Sequence, residues 1–106
     1  MNPAPAPCQP ELPPWRVLRR RRNDHFLRQV RLHVDCREFE AIETWSFACE
    51  CAEENCGASV ALTLVEYEAI SAPGISRLIT APEHEPGAGF AATATTHRFT
   101  IASISP

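Results

Sequence analysis

Apolar residues recur along this chain in short runs whose period changes from one segment to the next, and those changes divide it into elements. Phe26, Leu27, Val30 and Val34 are spaced by three and four, the period of one helix face. Asn23 or Asp24 can cap such a helix, which the pattern places from about Asp24 to Glu40. A strand competes for part of it, because Val30, Leu32, Val34 and Cys36 alternate with polar residues. The aromatic run Thr44-Trp45-Ser46-Phe47-Ala48 predicts a strand, and Ser59-Val60-Ala61-Leu62 predicts a second, making a hairpin with a polar loop at its tip.

Thr63-Leu64-Val65-Glu66 is a capping box, in which the threonine accepts from an early helix amide and the glutamate reaches back. It opens a short helix that turns Leu64, Tyr67 and Ile70 inward, and Ser71, Pro73 and Gly74 stop it. Arg77-Leu78-Ile79-Thr80 predicts a third strand, Pro86 to Gly89 a loop, and Arg98-Phe99-Thr100-Ile101-Ala102 a final strand. No internal repeat interrupts this order. The expected fold is α+β: a small antiparallel sheet with an N-terminal helix and a short second helix.

The hairpin loop carries the chemistry. Cys49, Cys51 and Cys56 form a C-x-C-x4-C run, and His84 follows the third predicted strand. Three sulfurs and one imidazole make the Cys3His set that zinc takes in structural sites. The expectation is a structural zinc held by Cys49, Cys51, Cys56 and His84, stapling the hairpin tip to the later strand. Cys36 is the rival fourth ligand, with His97 behind it. His33 and Cys36 also fit a plain helix surface, and Cys8 reads as a free thiol. Iron in place of zinc and a redox role for the thiolates both stay open. The flanking Glu50, Glu53, Glu54 and Asn55 predict a solvated loop rather than buried thiols.

With 106 residues and a net charge of −3 the chain is expected to be one small domain, for which a metal clip is a useful supplement to a limited core. Residues 1–22 read as a disordered Pro/Arg-rich tail and residues 23–106 as the zinc-binding domain. The five cysteines are an odd number, and Cys49 and Cys51 are too close to pair comfortably, so metal binding is favoured over disulfides. No membrane span or apolar signal segment is visible, and a cytoplasmic location is expected. The charge is divided: Arg16, Arg19, Arg20, Arg21, Arg22, Arg28 and Arg31 crowd the first third, while carboxylates dominate from Asp35 onward.

Three ordered stretches resemble a group of small uncharacterised actinobacterial proteins: Phe47-x-Cys49-Glu50-Cys51-x4-Cys56, Leu62-Thr63-Leu64-x-Glu66-Tyr67-Glu68 and Pro82-x-His84-Glu85. The resemblance covers residues 24 to 102 and implies a stand-alone intracellular domain with the same ligands. It implies no activity. Glu83 and Ala52 stand where those proteins carry glycine, which argues against a left-handed turn just before His84.

A non-enzymatic interaction or regulatory module is the expected function. Three thiolates disfavour activation of a metal-bound water, and the H-x-E and P-C-x-x-C motifs of zinc deaminases are absent. No catalytic residue is assigned. The partner is expected to be a protein, and exposed edges of a short sheet permit homodimerisation. The alternative is a nucleic-acid-binding protein that uses Arg19, Arg20, Arg21 and Arg22 on phosphates, with Trp15 as a stacking surface.

Overall fold

The computed structural model describes residues 12–33, 42–71 and 76–104. Among these, two helices and five strands follow in order: α1 (Pro14–His33), β1 (Thr44–Ala48), β2 (Ser59–Thr63), α2 (Leu64–Ser71), β3 (Arg77–Thr80), β4 (Phe90–Thr95) and β5 (Thr100–Ile104). The fold is α+β, and all strand pairing is antiparallel. The strands form two sheets: the hairpin β1-β2 and a three-stranded sheet in the order β3-β5-β4.

The hairpin follows the sequence pattern, with Phe47 opposite Val60 and Trp45 opposite Leu62. The capping box forms as expected: the Thr63 amide donates to Glu66 Oε1 at 2.8 Å, and the Glu66 amide donates to Thr63 Oγ1 at 3.0 Å. α2 buries Leu64, Tyr67 and Ile70. Phe47 stacks on Tyr67 with centroids 4.3 Å apart, and Phe26 meets Phe47 edge-on at 5.4 Å. These rings, with Leu27, Val30, Val60, Leu62 and Ile79, make the main core.

Two elements differ from the sequence pattern. α1 starts at Pro14, so Trp15 to Arg22, expected in a tail, are helical. Pro14 suits a first helical position, where its missing amide hydrogen costs nothing. The helix's buried face runs Arg16, Arg20, Asn23, Leu27, Val30, and a count of apolar residues finds only the last two. The helix's expected continuation to Glu40 and residues 1–11 of the tail lie outside the described residues.

β4 is the second difference. Only Phe90 is buried on it, and its alanines and threonines carry no apolar alternation to read. β5 recruits it across a register shift between Ala92 and Ala94. The final strand accordingly spans Thr100–Ile104 and lies between two neighbours. No helix among the described residues is long and apolar enough to cross a membrane.

Candidate metal centre

β1 ends at Ala48, and the chain turns directly into the cysteine loop. Cys49 and Cys51 lie at the start of this loop, buried at 1% exposure each, and Cys56 lies half-buried near its end. β3 delivers the chain to His84 from the other side. One ligand atom from each of Cys49, Cys51, Cys56 and His84 lies within 4.8 Å of every other. His84 Nδ1 stands 3.5 Å from both the Cys49 and the Cys56 sulfurs. Ligands about 2.3 Å from a tetrahedral ion stand about 3.8 Å apart, so the cluster matches a metal site in dimension and in donor type. These four residues can hold a metal ion.

The turn that aims His84 is left-handed after all. Glu83 has φ +71°, and the His84 amide donates back to the Ala81 carbonyl at 3.1 Å, closing a turn with Pro82 and Glu83 at its centre. This is the type II arrangement, which favours glycine at the Glu83 position. The turn forms here without the glycine, at the cost of a strained glutamate. Ala52 has no such requirement: among the described residues, Glu83 is the only non-glycine residue with positive φ.

The loop is polar in sequence but not solvated throughout. Glu50, between two of the cysteines, is 1% exposed. Arg20 binds it through both arms, Nε to Oε2 at 2.7 Å and Nη2 to Oε1 at 2.9 Å. The Ile79 amide donates to Oε1 at 3.0 Å, and Asn23 Nδ2 donates to Oε2 at 3.1 Å. Asn23 also exchanges two hydrogen bonds with the Ala48 backbone, completing the edge of β1 as a strand would. A buried carboxylate needs this degree of satisfaction.

Arg16 and Arg19 grip the loop from the same helix face. Arg19 donates to the carbonyls of Cys49 and Cys51 at 3.1 Å, Glu53 at 2.9 Å and Glu54 at 3.0 Å. Its guanidinium lies 4.8 Å from the Trp15 ring centroid. Arg16 donates to the Glu50 carbonyl at 3.0 Å and to the Pro86 carbonyl. Gly87, with φ +94°, leaves room for it: a Cβ there would sit 2.8 Å from Arg16 Nη1.

The Cys49 and Cys56 thiols are shifted in opposite directions. Burial pushes the Cys49 thiol up to about 12, against the opposing hydrogen bonds from the Ala81 and Cys51 amides. For Cys56, burial also pulls upward, but the Ala58 amide, the neighbouring thiols and the Arg19 charge outweigh it and lower its value. A metal that binds here displaces the Cys49 proton, as thiolate ligation requires.

The arginine tract divides on the structure. Arg20 is buried and Arg19 is bonded to the loop, while Arg21 and Arg22 are exposed. Trp15 faces Arg19 and lines an open groove with Leu18, Arg22, Glu54 and Asn55. His97 is exposed in the turn between β4 and β5 and takes no part in the four-ligand cluster. Cys36 and Cys8 lie outside the described residues, and so does the question of Cys36 as rival ligand. Sequence reasoning missed the buried roles of Arg16, Arg20, Asn23 and Glu50; for the three on α1 the signal available was a spacing of four and three, continuous with Leu27 and Val30, and Glu50 carried none. Comparison with protein-family models, curated proteins and solved structures returned no match.

Proposed function

We propose that this chain is a small intracellular zinc-binding domain in which the metal is structural, and that it acts as a non-enzymatic interaction or regulatory module. The supporting observation is the convergence of Cys49, Cys51, Cys56 and His84 from two separate loops. Zinc is the metal that this sulfur-rich donor set favours in a reducing compartment, where thiols persist. Four protein ligands complete a tetrahedron, which leaves no position for a reacting water. The metal joins the hairpin tip to the segment after β3 and thereby ties α1's polar face to the rest of the domain.

A protein partner, a second copy included, fits this reading better than nucleic acid. β4 is an outer strand of its sheet with uncharged, exposed residues from Ala91 to Thr95, a surface on which another strand can pair. The nucleic-acid alternative keeps Arg21 and Arg22 but loses Arg19 and Arg20 to internal contacts.

Metal content of the purified protein tests the reading, together with thermal melts before and after chelation. About one zinc per chain is expected, with the melt abolished by chelator and metal retention weakened by His84→Ala. A metal-free protein whose melt ignores chelator would defeat it.

A further inference from the structure

Arg16 and Arg19 touch none of the four ligand atoms, yet their hydrogen bonds end on the peptide units that position them. Arg19 holds the Cys49 carbonyl, and the amide of that same peptide, on Glu50, donates to the Ile79 carbonyl at 2.8 Å. It also holds the Cys51 carbonyl, and the amide of that peptide, on Ala52, donates to the Glu85 carbonyl at 2.8 Å. Both peptides are therefore strung between one guanidinium and the segment that carries His84. Arg16 completes the arrangement by joining the Glu50 carbonyl to the Pro86 carbonyl, just beyond His84. A cation on a carbonyl polarises its peptide and strengthens the bond its amide makes.

A site of three thiolates, one neutral imidazole and one divalent cation carries a net negative charge, and a nearby guanidinium offsets it. The Arg19 side chain supplies that charge while gripping the carbonyls of residues 49, 51, 53 and 54. We propose that Arg19, with Arg16 beside it, is a positioning residue of the metal centre: it locks the cysteine loop against the His84 segment and thereby sets how tightly the metal is held. This rests on the reading of the four-residue cluster as a metal site. Arg22, three residues along α1 and exposed, lines the same groove without a bond to the loop carbonyls.

Zinc affinity measured by competition with a chromophoric chelator tests the assignment in wild type, Arg19→Met and Arg22→Met. Methionine keeps an unbranched apolar stem and removes the charge and the donors, including the guanidinium that lies over Trp15. Arg19→Met is expected to bind zinc about ten- to a hundred-fold more weakly, the range typical of groups that orient metal ligands, and Arg22→Met to bind as wild type does. At saturating cobalt, Arg19→Met should show the same thiolate-to-metal absorption band as wild type, so that the loss is one of affinity with the ligand set intact. Unchanged zinc affinity in Arg19→Met would overturn the proposal, as would an equal loss in Arg22→Met. A cobalt band missing even at saturation would also overturn it, because Arg19 would then be holding the fold itself. Failure of the wild type to bind zinc would instead defeat the metal site.

Discussion

The two ends of α1 bury themselves by opposite means. Toward its C-terminal end Phe26, Leu27 and Val30 pack on the aromatic and aliphatic core, as an amphipathic helix ordinarily does. Toward its N-terminal end the same face presents Arg16, Arg20 and Asn23, and these are buried as completely as the apolar residues. The apolar end is held by area removed from water, which is tolerant of detail. The polar end is held by hydrogen bonds and charge, which are costly if any partner is missing. Where the chain must fold a ligand loop with many free carbonyls, arginines are the better glue, because apolar side chains would leave those carbonyls unsatisfied.

The sharpest way to break this contrast is to damage once what each end packs against, the Glu50 carboxylate for the polar end and the core cluster for the apolar end, and compare the losses with and without metal. Glu50→Gln leaves Arg20 buried without its counter-charge and is expected to lose about 3–5 kcal/mol. Leu64→Ala, in the apolar core at 0% exposure, is expected to lose about 2–5 kcal/mol. The losses are similar, but only Glu50→Gln should also weaken metal retention, since Glu50 lies between two of the candidate ligands. Urea titrations with metal quantitation check both; metal loss in Leu64→Ala at matched folded fraction would erase the distinction.

A smaller effect belongs to the partly exposed pair that joins α2 to the turn before β5. Arg98 donates to both oxygens of Glu66, at 3.0 and 2.8 Å. The Arg98 hydrogen bond, opposed by burial, holds the Glu66 carboxyl below its usual range. A depressed folded-state value contributes stability that is fully present above the unfolded value of about 4.3 and disappears as pH falls through the folded one. The stability difference between wild type and Glu66→Gln should thus be flat above about pH 5 and shrink below it, with a size near 1 kcal/mol or less once solvent screening is counted. A gap that widened in acid would contradict the linkage. The smallest change is expected at the His84 turn. Glu83→Gly removes a left-handed penalty of about 1–2 kcal/mol and returns about 0.5–1 kcal/mol of chain entropy, so a melting point slightly raised is the expected outcome. A lowered one would mean that the glutamate side chain contributes more than its backbone costs.

Much of the chemistry was legible along the chain. Cys49, Cys51 and Cys56 announce themselves by spacing, and the hairpin, the Thr63–Glu66 box and β3 follow from local period and capping. His84 was legible as the favoured fourth candidate, with Cys36 and His97 as rivals, and the structure brings it to the three sulfurs. The start of α1 was not legible, because a run of arginines after prolines carries the composition of a solvated tail. β4 was hidden for the complementary reason, its alanines and threonines being neutral toward either face.

Local pattern determined what local physics decides: the turn and cap residues, the alternation of β1 and β2, and a candidate ligand set whose sulfurs lie on one loop. Tertiary structure alone decided which charges go inside. Whether an arginine is solvated or buried depends on finding a carboxylate and several carbonyls at the right distance, and Glu50 and residues 49–54 lie some thirty positions further along the chain. Propensity and period act over a turn or two, whereas desolvating a guanidinium is repaid only by partners that the folded chain brings from afar.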